Sequence, residues 1–199
     1  MQYNSSCTMM YLAMDGLVRD KFPDKSVRKA IKAEYKAIIG RAKDIGAKNK
    51  LLSSYLMAAY FIAMCRCSGL SPEEGGRAMD DGLRRSKLFK VMMGSAQDYF
   101  SPKRIAGRQE WSRQTYERKY ENDWVVDILV DGPDYDMGFD YRECGVVKLC
   151  RDEGCPELAQ YLCRLDFTIM EIMGIGLKRT MTLAEGGEKC DFRLTKPRS

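Results

Sequence analysis

Through the first hundred residues the apolar positions recur at helical spacing, and from Asp123 onward the period shortens towards two. Val27, Ile31, Tyr35 and Ile38 form one stripe. With Asp24 or Ser26 as cap, it predicts a helix to about Gly40. The charge-free run from Leu51 to Cys65 predicts a buried helix that continues to Cys67 and stops at Gly69. Ser71-Pro72-Glu73-Glu74 is a capping box with proline at the first helical position, which predicts a helix through about Met93. Ser101 to Tyr120 reads as a basic, aromatic connector.

The remainder alternates. Trp124 to Val130 is apolar and β-branched, Asp131-Gly132-Pro133-Asp134 is a turn, and Met137, Phe139 and Tyr141 alternate with Gly138, Asp140 and Arg142. That pattern predicts a hairpin. A short helix over Gly145 to Asp152 follows, then a long one that Pro156 opens and that runs to about Met173. Ile175, Leu177, Met181 and Leu183 alternate along a third strand, Glu185-Gly186-Gly187-Glu188 turns, and Cys190, Phe192 and Leu194 alternate along a fourth. Helices followed by an antiparallel sheet of about four strands, crossed by a long helix, make the fold class α+β. A single domain is expected over residues 1–199, helical to about 120 and built of sheet and helix from about 121.

Composition narrows the chemistry. The chain is 45% hydrophobic and 31% charged, which is globular, and it contains no histidine. Imidazole-dependent triads, Cys-His proteases and His-ligated zinc are therefore excluded. Net charge is +5, yet Lys25 to Lys50 alone carries +7, nine basic residues against Glu34 and Asp44. Those charges share a helix with an apolar stripe, and no nucleic-acid-binding motif follows. They read as a solvated face, and no nucleic-acid partner is expected. No apolar run reaches the roughly 20 residues of a membrane span. The opening Met1-Gln2-Tyr3-Asn4-Ser5-Ser6-Cys7 lacks the features of a secretory signal, so a cytoplasmic address with reduced thiols is expected. The apolar face of Leu51 to Met64 suits a homodimer contact as well as a core.

Two charges stand where apolar residues belong. On the helix from Pro156, Asp166 falls among Leu158, Leu162, Leu165, Ile169 and Met173, with Cys163 one turn away on the same side. On the following strand Arg179 shares the face of Ile175, Leu177, Met181 and Leu183. Burying either charge alone would cost several kcal/mol, so Asp166 and Arg179 are expected to pair, either as a packing salt bridge or as a site. Cys190 has the same inward parity, and Asp191 points the other way. Inward cysteines are either small core hydrophobes or nucleophiles. Cys144, Cys150, Cys155 and Cys163 are spaced C-x5-C-x4-C-x7-C without a C-x2-C knuckle. No cofactor is expected, with a divalent or cysteine-ligated metal as the alternative. Gly186 and Gly187 are turn glycines and do not form a phosphate loop.

The ordered series Phe139-Asp140-Tyr141-Arg142-Glu143-Cys144, Gly154-Cys155-Pro156-Glu157-Leu158, Cys163-x-x-Asp166, Leu177-Lys178-Arg179-Thr180, Leu183-Ala184-x-Gly186-Gly187 and Cys190-Asp191-Phe192 resembles the L-2-amino-thiazoline-4-carboxylic acid hydrolase family. The resemblance covers the C-terminal third, extends on fewer residues to Tyr55 to Glu74, and in its ending is loosely similar to vinyl-reductase-type ligand-binding domains. It implies hydrolytic opening of a thiazoline ring to a carbamoyl-cysteine, with Cys144, Cys163, Asp166, Arg179, Gly186, Gly187 and Cys190 at the motif positions. On that reading Asp166 partners the amidinium and acts as base, while Cys163, or Cys190 in its place, attacks the ring carbon. Arg179 clamps the substrate carboxylate, with Cys144, Gly186 and Gly187 on the binding side. The rival reading is a non-catalytic small-molecule sensor that uses the same pocket.

Overall fold

The computed structural model describes residues 1–197. Four helices form the N-terminal layer: α1 (Ser5–Val18), α2 (Lys25–Arg41), α3 (Leu52–Ser68) and α4 (Pro72–Arg85). The α3 helix has no polar stripe because every side is covered: Tyr55, Leu56 and all residues from Ala58 to Met64 are buried. Its last turn ends at Gly69 with φ 75°, the left-handed cap anticipated for that glycine. The Asp24 carboxylate caps α2, whose buried Ile31, Tyr35, Ile38 and Ile39 face inward while its lysines stay in solvent. Ser71 and Glu74 complete a reciprocal capping box at the start of α4.

Helix α4 approaches α1 through small residues. A Cβ placed on Gly82 would lie 2.5 Å from the Leu17 carbonyl oxygen, a backbone atom that cannot swing aside. Helix propensity alone favours Gly82→Ala by about 1 kcal/mol. The clash is expected to win, with a net loss of about 1–3 kcal/mol in urea-unfolding stability. A more stable variant would show that α1 and α4 can separate without cost.

Two helical expectations need correction. The helix expected to reach Met93 breaks at Ser86, whose extended backbone (ψ 105°) ends α4 and whose hydroxyl caps a separate helix, α5 (Lys87–Met93). The stretch from Ser101 to Tyr120, read as a connector, instead contains α7 (Pro102–Thr115), and a one-turn helix, α6 (Ala96–Tyr99), precedes it. Ser101-Pro102 opens α7 with proline in its first turn, as Ser71-Pro72 opens α4. Helix α7 docks on the sheet edge: Trp111 is buried, the Ser112 hydroxyl donates to the Val126 carbonyl, and the Val126 N–H donates to Thr115 Oγ1.

The sheet contains β1 (Val125–Gly132), β2 (Tyr135–Glu143), β3 (Gly176–Lys178) and β4 (Cys190–Thr195), antiparallel in the order β1-β2-β4-β3. Between β2 and β3 come α8 (Gly145–Asp152), a 3-10 turn at Pro156–Leu158, and α9 (Ala159–Ile172). The α+β class and the crossing helix are as the periodicity predicts. The third strand is shorter than its alternation suggested. Past Lys178 the Asp191 carboxylate accepts the N–H groups of Thr180 and Met181, replacing a ladder partner with a side chain, and a 3-10 turn occupies Leu183–Glu185. Thr182 is consequently buried rather than outward.

Register fixes the faces of the sheet. Phe139 pairs with Phe192, Tyr141 with Cys190 and Leu177 with Leu194, all on the side that α9 crosses. On the other side Asp127, Asp140 and Asp191 align across β1, β2 and β4. Like charges in register repel, and cations interleave with them: Lys189 and Arg193 both bind Asp140, and Arg142 binds Asp127.

Candidate active site

A cavity of about 370 Å³ lies between the inner face of the sheet, α9 and the helical layer. Each wall has a local cause. β2 and β4 supply the aromatic face, where Tyr141 lies edge-on to Phe192 with ring centres 5.4 Å apart and parallel to Phe139 at 5.8 Å. Helix α9 turns Cys163 and Asp166 into the same space, Cys144 enters from the end of β2, and Arg179 enters just beyond β3. Met10 and Met14 of α1, Met57 of α3, and Phe89 and Met93 of α5 line the opposite side.

The inward charges do pair. Arg179 Nη1 donates to Asp166 Oδ2 at 2.8 Å, and Nη2 donates to the Cys163 carbonyl at 3.0 Å. The guanidinium carbon sits 4.9 Å from the Phe167 ring centre and 5.0 Å from that of Phe192, so the cation is held between two aromatic faces. The Arg179 side chain retains 6% exposure and that of Asp166 34%, and both residues line the cavity. Burial therefore pushes the Asp166 carboxyl up to about 6 even though Arg179 pulls it down. Two of the five guanidinium N–H groups, which the resemblance assigns to a substrate carboxylate, are engaged by Asp166 and the Cys163 carbonyl.

Burial acts on the thiols as well. It pushes the Cys163 thiol far above the ordinary range and Cys190 up to about 12, with Arg179 a lesser opposing influence at both. Cys144 is also raised, chiefly by burial. The Leu183 N–H donates to Cys190 Sγ at 3.2 Å, which occupies that sulfur. All three line the cavity as neutral thiols near pH 7.

Cys144 and Cys163 line the cavity, whereas Cys150 and Cys155 do not, so the four cysteines of the metal-like spacing are not gathered there. Among the described residues, no three or more Cys, Asp or Glu side chains come together in a group that could hold a metal ion. Gly186 and Gly187 also lie outside the cavity lining, away from the binding side assigned to them. Gly186 (φ 84°) ends the 3-10 turn, and at Gly187 a Cβ would approach the Thr182 carbonyl oxygen at 2.9 Å. These two glycines shape the turn into β4.

Two cavity residues escaped the sequence reading as functional groups. Tyr141 has the inward parity of Phe139 and Cys190 and looked like core, and Tyr99 fell outside every predicted element. In both, burial raises the phenol and no hydrogen bond to the hydroxyl contributes.

Fold and site together define a class: an α+β protein with a largely apolar cavity that holds one carboxylate–guanidinium pair. Residues 49–194 match the family described as L-2-amino-thiazoline-4-carboxylic acid hydrolase, and the chain belongs to that family. No significant match was found among curated proteins or among solved structures. No helix among the described residues is long and apolar enough to cross a membrane.

Proposed function

We propose that the protein is a hydrolase that opens a small sulfur- and nitrogen-containing ring of the 2-amino-thiazoline type, with Asp166 as its proton acceptor and donor. The observation that carries the reading is the Asp166 carboxyl, lifted to about 6 at the wall of a largely apolar cavity in a chain of this family. A carboxyl tuned that close to neutrality suits a group that must take and return a proton. The neutral thiols favour water over a thiolate as the nucleophile.

In this scheme the water oxygen bonds to the ring carbon between nitrogen and sulfur. A water proton passes to Asp166, which returns it to the ring nitrogen. The proton of the new hydroxyl then takes the same route to the departing nitrogen or sulfur as the ring bond breaks and a carbonyl forms. The product is the substrate plus one water, a carbamoyl-cysteine when the ring carries a 4-carboxylate. Arg179 holds the carboxylate of Asp166 in place and keeps it ionisable inside an apolar wall.

Incubating the protein with L-2-amino-thiazoline-4-carboxylate is expected to yield a species heavier by one water, followed by mass spectrometry. Ligand binding without any hydrated product would overturn the hydrolase and leave the cavity a binding role.

A further inference from the structure

The cavity wall is mostly apolar, and its charged groups are Asp166 and Arg179, with hydroxyls from Tyr99, Tyr141, Ser53, Ser54 and Ser86. Among the described residues Arg179 is the only basic one in the lining, and Asp166 already neutralises it. The described lining therefore offers a ligand carboxylate no cation that is not already ion-paired. Among the described residues Asp166 Oδ1 is left without a partner, as are the hydroxyls of Tyr141, Tyr99 and, on α3, Ser53 and Ser54. These groups match a head that presents N–H donors and carries little net charge.

Much of the wall supplied by α1, α3 and α5 is apolar. Met10, Met14, Met57, Phe89 and Met93 form it, and unbranched methionines adapt their shape to a ligand body. The volume of about 370 Å³ falls in the range that holds a drug-sized molecule, larger than a bare amino-thiazoline ring requires. The opening lies beside α5, where Leu88 and Met92 also line the cavity while 68% and 63% exposed.

We propose that this cavity selects an N–H-bearing weak base with an apolar substituent, the head on Asp166 and the Tyr141 hydroxyl and the body along the methionine wall towards α5. The head assignment rests on the hydrolase reading above; the body assignment rests on the lining alone. Free amino-acid-like zwitterions are disfavoured because their carboxylate finds no unpaired cation.

The test is calorimetric binding of 2-amino-thiazolines that carry methyl, butyl or hexyl at ring position 4, beside the 4-carboxylate. Affinity is expected to rise by up to about fourfold per buried methylene, so the hexyl compound should exceed the carboxylate by more than tenfold. Met92→Asp, at a position 63% exposed, is expected to keep the wild-type circular dichroism and melting temperature and to weaken the hexyl compound about tenfold more than the methyl compound. A flat series, no binding by the alkyl compounds, or a carboxylate that binds tightest would overturn the proposal. Turnover is scored separately in the same samples. A rising series without hydrated product removes the hydrolase and keeps the ligand class, whereas product from the carboxylate with a flat alkyl series does the reverse.

Discussion

Asp166→Asn is expected to lower ring-opening turnover by about 10²–10⁴-fold, the range spanned by a positioned acid–base group. Asparagine keeps the shape and can still accept from Arg179 Nη1, but it can neither take a water proton nor return one. The wild-type pH profile supplies an independent readout. Catalysis needs the ionised carboxylate at the first step, so kcat/KM is expected to rise about tenfold per pH unit below about 6 and to level off above it. Stability should respond in the opposite sense. The folded-state pKa of Asp166 lies above its ordinary 3.8, so its contribution is fully present below that value and is lost as pH rises through about 6. A folded Asp166→Asn protein with wild-type turnover, or a profile without the inflection near 6, would remove Asp166 from the chemistry. Removing Asp166 also strands a buried guanidinium, so circular dichroism and thermal melting must accompany the kinetics.

Asp140→Ala is expected to produce the largest loss of stability. Its side chain is 6% exposed and holds Lys189 at 2.6 Å and Arg193 at 2.8 Å, each itself mostly covered. Cutting a fully buried pair costs about 3–5 kcal/mol. Here Lys189 and Arg193 can swing part-way to water, which reduces the expected cost to about 2–3 kcal/mol, measurable by urea unfolding. Against the upward push of burial, Arg193 and Lys189 hold the Asp140 carboxyl below its ordinary value. Its contribution is therefore present above the ordinary carboxylate range and is lost as pH falls through the depressed folded value. An unchanged midpoint would mean that the ion layer on the outer face of the sheet contributes nothing, and that strand pairing alone sets its stability.

Much of this architecture is legible in the sequence because each level agrees with the next. Gly69 ends α3, the Ser71 capping box starts α4, and the parity of Met137, Phe139 and Tyr141 matches the register that pairs Phe139 with Phe192. The Asp166 and Arg179 pair was legible for the same reason: each breaks a local pattern, and only the other sign resolves it. The failures share a different cause. Ser86 splits a helix that its apolar periodicity would continue, because a serine N-cap competes with the helix backbone for its own N–H groups. The third strand stops early because the Asp191 side chain, twelve residues beyond Arg179 in the chain, takes backbone donors that alternation assigns to a ladder. Tyr99 and the methionine wall had no signal, since a cavity lining and a packed core are written in the same residues.

The break at Ser86 bears on the rate at which the cavity can exchange its contents. Helix α5 spans seven residues between the extended Ser86 and Gly94 at φ 76°, and none of its residues is buried. A wall segment so thinly anchored opens at a small fraction of the free energy that holds α3 in place. Exchange of the cavity's contents is thereby expected to be uncoupled from global unfolding, and a substitution that stiffens the backbone at Ser86 or Gly94 is expected to slow access to the cavity without raising the melting temperature.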